Sequence, residues 1–409
     1  MTKINFNSGN VLNEKNVGSQ NDFLERVKKG RNPVNVSLLA ALQDNGDVIE
    51  QAKTMAKHLQ SKAEALIVLG VGGVRASAKA VVEALEPEGM TLYYAGHGFS
   101  GHYLKGILDN LEGISTAVLV MTKSGNTSET LLSFSVVKNW MEKRYGDDTK
   151  DRIVCITGSD GGRLGKLAAD KGYYHVKAQD VVGGRYSLFS MVGLLQLAAA
   201  GIDIDKFIEG VKEGQDEYCN FNEDNPALRY AMARNLLYQQ GYCNEIWVTY
   251  APYMIEFGKW WRLLFAESEC LNEPGIYPII ADNSRDLKNL HHLLSQGQMG
   301  FFETTLWLSN VSTYEVDEDA AELLGWEAGG DFTDVTQKLK EENKINSFSQ
   351  GIPQLELEVE KLGPKDLGKL SVFMIQACLL SGYMRSVDPQ DQPGGVNKKF
   401  DKKRWKFQA

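Results

Sequence analysis

The run Leu66-Ile67-Val68-Leu69-Gly70-Val71-Gly72-Gly73 decides the fold class. Four consecutive apolar residues without alternation read as a strand buried on both faces. The glycines that follow make a tight turn into a helix over Ala76–Leu85. The same strand–turn–helix grammar recurs outward from this stretch. Ala117-Val118-Leu119-Val120 and Ile153-Val154-Cys155-Ile156 read as further buried strands, and Leu92-Tyr93-Tyr94 and Tyr173-Tyr174-His175-Val176 as weaker ones. A helix over Glu129–Glu142 lies among them. Buried strands alternating with helices predict an α/β fold, a parallel sheet sandwiched between helices.

Past a break at Gly201-Ile202-Asp203 the alternation resumes. Strands are expected at Ile246–Thr249, Ile276–Ile280 and Thr304–Leu308, and helices at Ala227–Tyr238, Met254–Ala266 and Leu287–Ser295. Apolar residues at 254, 257, 261, 264 and 265 keep a helical period. A long helix follows over Pro364–Met384. The expected organisation is a lead-in segment (1–45) whose first twenty residues are Asn-rich and loosely structured, one α/β domain (46–200), a second (201–385) and a polar, basic tail (386–409). The two halves share an architecture without a close internal repeat.

At 409 residues and 43% hydrophobic, the chain has enough apolar surface for more than one full core. A formal charge of −9 argues against a general nucleic-acid binder, although Lys398 to Lys406 carries six Lys or Arg residues. No uninterrupted apolar run reaches membrane-spanning length, and the first residues lack a secretory apolar core, so no membrane association and a cytoplasmic location are expected. The five scattered cysteines form no C-x-x-C pair. No metal-ligand spacing is present, and neither metal nor cofactor is expected.

Gly70-Val71-Gly72-Gly73 lets backbone amides approach a ligand at a helix N-terminus. The dinucleotide fingerprint G-x-G-x-x-G is broken, because residue 75 is Arg, which argues against a dinucleotide oxidoreductase. A bare structural turn explains the motif equally well. The second loop, Thr122-Lys123-Ser124-Gly125-Asn126-Thr127-Ser128-Glu129-Thr130, gathers hydroxyls, a lysine and a glycine between a strand and a helix. That composition suits a phosphate, and the alternative is plain helix capping. Gly183-Gly184-Arg185-Tyr186-Ser187 places a permanent cation behind a glycine pair, where a structural ion pair is the competing explanation. Glu267, in Ala266-Glu267-Ser268-Glu269, lies at a helix C-terminus against an unfavourable dipole and is therefore either exposed or tuned.

In this order the pieces resemble the glucose-6-phosphate isomerase family over roughly Leu66 to Lys399. The marks are GGRYS at 183–187 continuing into LFSMVGLL at 188–195, FGKWWRLLFAESE at 257–269, and Asp391-Gln392-Pro393-Gly394. The resemblance implies two sugar-isomerase (SIS) domains in a homodimer with shared active sites, and a place in glycolysis and gluconeogenesis. It implies that Thr122, Lys123, Ser124 and Thr127 hold a sugar phosphate and that Gly72, Gly73 and Gly184 line the sugar. Glu267 is then the base that moves a proton between C1 and C2, and Arg185 stabilises the enediolate. Lys399, seven residues after Gln392, assists ring opening, so the basic tail (386–409) contributes to the active site. No cofactor is required.

Several positions depart from the family pattern. Val74 stands where a sugar-contacting Ser is usual, and Leu263 replaces a Gln. Asn397 and the doubled glycine leave the lysine as Lys398 or Lys399. The ring-opening His aligns with Lys288, and a lysine that titrates near 10.4 is a poor proton shuttle at neutral pH. His291 or His292, three and four residues on, face the same side of a helix. The leading expectation is isomerisation of glucose 6-phosphate and fructose 6-phosphate. The alternative is a non-catalytic or divergent SIS protein that binds another sugar phosphate.

Overall fold

Strand β1 (Ile4–Asn7) and helix α1 (Val17–Lys29) open the chain, where the sequence suggested a loosely structured lead-in. The structure, a computed structural model, describes residues 3–29, 46–178, 183–220, 222–270, 274–286, 289–290, 300–311, 314–325 and 329–390. Next come α2 (Gly46–Lys62), β2 (Ala65–Leu69), α3 (Gly73–Leu85), β3 (Thr91–Ala95), α4 (Gly101–Asn110), β4 (Thr116–Thr122) and α5 (Ser128–Tyr145). They are followed by β5 (Ile153–Thr157), α6 (Gly162–Lys171), β6 (Tyr174–Lys177), a short 3-10 turn (Gly184–Phe189), α7 (Met191–Ala199) and α8 (Ile204–Tyr218). The remainder is α9 (Pro226–Gln239), β7 (Asn244–Thr249), α10 (Ile255–Glu269), β8 (Tyr277–Asp282), β9 (Phe301–Leu308), α11 (Glu318–Leu324), α12 (Phe332–Ser349), β10 (Gln354–Val359) and α13 (Pro364–Met384).

Among the described residues these strands form two sheets. The first runs β3-β2-β4-β5-β6, parallel throughout. Its central strands β2, β4 and β5 are buried at every residue, which is why they read as unbroken apolar runs. The second runs β1-β10-β9-β7-β8, parallel except that β1 closes the edge antiparallel to β10. In each sheet the first strand of the parallel set lies between the second and the third. Strand order therefore reverses beside β2 and beside β7, and ligands of such sheets bind outside the carboxyl ends at that reversal.

β10 went unnoticed in the sequence because only its alternate residues Leu355, Leu357 and Val359 are buried. A strand polar on one face has no continuous apolar run to find. β1 is shorter still and takes its partner from about 350 residues away.

α13 is buried from Asp366 to Met384 and packs along α8. It is long and apolar enough to cross a membrane, yet its most apolar window lies wholly inside the protein. α10 packs along α3, so the helices that follow the two reversal strands join the two sheets. α12 turns Lys340, Asn343 and Ser347 inward and leaves Phe332, Ile345 and Phe348 outward.

Candidate functional site

The hydroxyl-rich loop connects β4 to α5. Gly125 sits at φ +63°, and a Cβ there would lie 2.0 Å from the Gly161 carbonyl oxygen, so only glycine lets the loop rest on that turn. Thr127 is the N-cap of α5, but its hydroxyl meets Thr122 Oγ1 at 2.6 Å instead of capping the helix. The capping alternative thus does not hold for Thr127. The first-turn amides keep the helix dipole's positive end without a side-chain cap, an arrangement suited to a phosphate. Lys123 and Ser124 are exposed beside them.

The first glycine loop lies next to this one. A Cβ on Gly70 would be 3.5 Å from Met121, the residue before Thr122. Gly72 is the N-cap of α3 at φ +60°. Gly73 presses on the arginine motif: a Cβ there would meet the Gly184 carbonyl oxygen at 2.3 Å and Arg185 Cα at 2.6 Å. Gly72, Gly73, Gly184 and Arg185, over a hundred residues apart in sequence, are neighbours.

Arg185 is 3% exposed, and its side chain turns toward the last turn of α10. Nη1 donates to the Glu267 carbonyl, and to Ser268 Oγ at 2.9 Å. Nε stands 3.8 Å from Glu267 Oε2. The guanidinium therefore satisfies a carbonyl that a helix C-terminus leaves without a partner. The Glu267 side chain itself is 54% exposed. Partial burial raises its pKa above the ordinary carboxylate value, while the Arg185 charge acts in the opposite sense. The tuned and exposed descriptions of this glutamate both apply.

Two partners of the site were not read from sequence. Ser268 Oγ and the Tyr186 hydroxyl are 3.1 Å apart, and that hydroxyl donates to the Pro389 carbonyl at 2.8 Å, holding the end of the described chain against the site. Behind them, Arg234 lies between Glu245 and Glu269, all three fully buried. Arg234 had a visible signal. It is a lone cation in the apolar stretch Tyr230-Ala231-Met232-Ala233-Arg234-Asn235-Leu236-Leu237, and a buried charge needs a partner.

Lys288, His291, His292, Gln392, Lys398 and Lys399 lie outside the described residues, as does most of the helix expected over Leu287–Ser295. Among the described residues no group of three or more His, Cys, Asp or Glu is placed to hold a metal ion. A cavity of about 740 Å³ lies apart from the site, between the segment after β1 and α12, with Tyr250, Thr305, Lys340 and Asn343 in its lining. None of the residues discussed at the reversal points faces it.

The phosphoglucose isomerase family model matches residues 17–269. A glucose-6-phosphate isomerase from Alkaliphilus metalliredigens is 35% identical over 364 residues, 85% of this chain and 81% of that protein. The crystal structure of a hypothetical protein from Thermus thermophilus superposes with a TM-score of 0.87 at 20% identity, covering 100% of both chains. That of a glucose-6-phosphate isomerase from Chlamydia trachomatis superposes with a TM-score of 0.76 at 16% identity, covering 94% of this chain and 77% of that one. At such identities the two structures speak for the fold.

Proposed function

The chain belongs to the phosphoglucose isomerase family, and from that premise we propose that it interconverts glucose 6-phosphate and fructose 6-phosphate. The observation that carries the reading is a half-exposed carboxylate of raised proton affinity, Glu267, 3.8 Å from the buried guanidinium of Arg185. Aldose–ketose isomerisation needs one base that reaches two adjacent carbons and one fixed cation for the oxygen anion formed between them. Glu267 takes the C2 proton of the open-chain aldose. The C–H electron pair becomes the C1=C2 double bond as the carbonyl pair moves to O1, which Arg185 stabilises. The proton returns to C1, the O2 proton is transferred to O1, and the carbonyl re-forms at C2.

Thr122, Lys123, Ser124 and Thr127 bind the phosphate in this reading, and Gly72, Gly73 and Gly184 line the sugar. Ring opening falls to the segment carrying Lys288, His291 and His292, assisted by Lys399 or Lys398, with Gln392 among the substrate-binding residues. The scheme calls on no metal or redox cofactor. An assay started from either sugar phosphate tests it: turnover in both directions supports the reading, and none by the pure protein near neutral pH overturns it.

Val74 favours a second reading. Its Cγ2 would lie 2.9 Å from a Cβ on Gly70, and its Cγ1 3.6 Å from one on Gly184, so an apolar side chain fills the space between the two sugar-side loops. A pocket so lined suits a different phosphorylated sugar, turned over or merely bound. A panel of sugar phosphates, assayed for turnover and by calorimetry, separates the two.

A homodimer with shared active sites and a cytoplasmic location complete the proposal. The dimer and its shared sites are what the family resemblance implies; the exposed apolar side chains of α12, Ile345 and Phe348, line the cavity that lies apart from the site. Light scattering that returns the mass of one chain at micromolar concentration removes the dimer from the proposal.

A further inference from the structure

We propose that Arg234 is a positioning residue for Glu267, acting through Glu269; the inference rests on the reading of Glu267 as the base. Three consecutive residues of the last turn of α10 point three ways, since successive helical side chains are about 100° apart. Glu267 faces the site, Ser268 meets Arg185 and Tyr186, and Glu269 enters the core. There the Glu269 carboxylate receives a fork from Arg234, Nη1 to Oε1 at 2.5 Å and Nη2 to Oε2 at 3.3 Å. The third nitrogen, Nε, donates to Glu245 Oε2 on β7 at 2.5 Å. Glu245 Oε1 in turn accepts from the Tyr230 hydroxyl at 2.7 Å and from Thr304 Oγ1 at 2.6 Å. Nη1 also reaches Ser381 Oγ on α13 at 3.1 Å, and the guanidinium carbon lies 4.1 Å from the Phe265 ring centre. One side chain on α9 thereby ties together β7, α10 and α13.

Stability alone does not account for this cluster. Desolvating three charges offsets most of their attraction, and apolar side chains of similar volume commonly serve a core as well or better. The fork supplies direction instead, because a planar guanidinium holds carboxylates at fixed angles. Direction matters at this place: a helix's final turn has carbonyls without internal partners, and its dipole repels the carboxylates of both Glu267 and Glu269. Arg185 holds the turn from the sugar side and Arg234 from the core side. The two residues after Glu267 are thus anchored, while its own half-exposed side chain reaches toward the substrate.

The test uses the full-length protein with Arg234→Lys, which keeps the charge but not the fork, and the near-isosteric Glu269→Gln. Thermal unfolding establishes the folded fraction of each, and Glu267→Gln is assayed beside them. A displacement of the base of about 1 Å costs on the order of 100-fold in rate. The expected result is kcat lowered by roughly 10- to 100-fold in folded protein, with KM within about twofold of wild type. A merely structural role lowers activity only in proportion to the folded fraction, and that outcome overturns the proposal. So does wild-type kcat in both folded variants while Glu267→Gln is inactive, which leaves the base assignment standing. Wild-type turnover by Glu267→Gln removes the base assignment itself and the positioning role with it.

Discussion

Arg185 Nη1 donates to the backbone carbonyl of Glu267, while Nε of the same guanidinium stands 3.8 Å from Oε2 of that residue. One cation thus holds the main chain of the proposed base and faces its carboxylate. General-base catalysis of this kind contributes about 10²- to 10⁴-fold, so Glu267→Gln is expected to lower kcat by that factor. KM should change little, because the amide fills the same space. Steady-state kinetics in both directions, with calorimetric binding of a sugar phosphate to the variant, checks the expectation.

Arg185→Gln gives a sign as well as a size. Partial burial raises the Glu267 pKa and the Arg185 charge opposes that rise. Activity that needs the carboxylate is present above this pKa and is lost as pH falls through it. Removing the guanidinium takes away the opposing influence, so the acidic limb of kcat/KM should move to higher pH. The plateau should also fall by about 10²- to 10³-fold, the usual loss for a removed anion-stabilising donor. A limb that stays in place or moves to lower pH counts against the pairing.

The two sheets were legible because β2, β4, β5, β7 and β9 are nearly or fully buried, and full burial leaves unbroken apolar runs in sequence. β10 was not, since Gln354, Glu356 and Glu358 alternate with its buried residues. Arg185 and Glu267 were found through local motifs, but motifs say nothing about side chains that meet across elements. Ser268 and Tyr186 become visible as partners only when α10 is laid beside the Gly184–Phe189 turn. Gly73 shows the same limit. Its need to be glycine comes from the Gly184 carbonyl pressing on it, and no pattern within residues 70–73 records that contact.

Thr127→Val tests the phosphate loop. The hydroxyl engages Thr122 Oγ1 at 2.6 Å and leaves the N-terminus of α5 without a side-chain cap. A hydrogen bond to a charged ligand contributes about 1.5–3 kcal/mol, close to 10- to 100-fold in affinity. KM for the sugar phosphate and the inhibition constant of inorganic phosphate should rise together by that factor, with kcat within a few-fold of wild type. Equal affinities in variant and wild type place the phosphate elsewhere.

Gly73→Ala and Gly72→Ala, one residue apart, are expected to differ in kind. A Cβ at 73 would sit 2.3 Å from the Gly184 carbonyl oxygen and 2.6 Å from Arg185 Cα, so the arginine motif has to move. Overpacking of this sort costs about 1–3 kcal/mol, and displacing Arg185 from the last turn of α10 should lower kcat by roughly 100-fold. At 72 nothing lies within 4 Å of a new Cβ, and the penalty is the backbone at φ +60° and ψ −138°, a conformation open essentially to glycine alone and costing other residues about 1–3 kcal/mol. That substitution should lower the unfolding midpoint and, since Gly72 lines the sugar in this reading, raise KM, while leaving kcat of the folded fraction within a few-fold of wild type. Thermal unfolding and kinetics on the pair separate the two effects. Comparable kcat values in both variants, each corrected for folded fraction, refute the claim that Gly73 sets the position of Arg185.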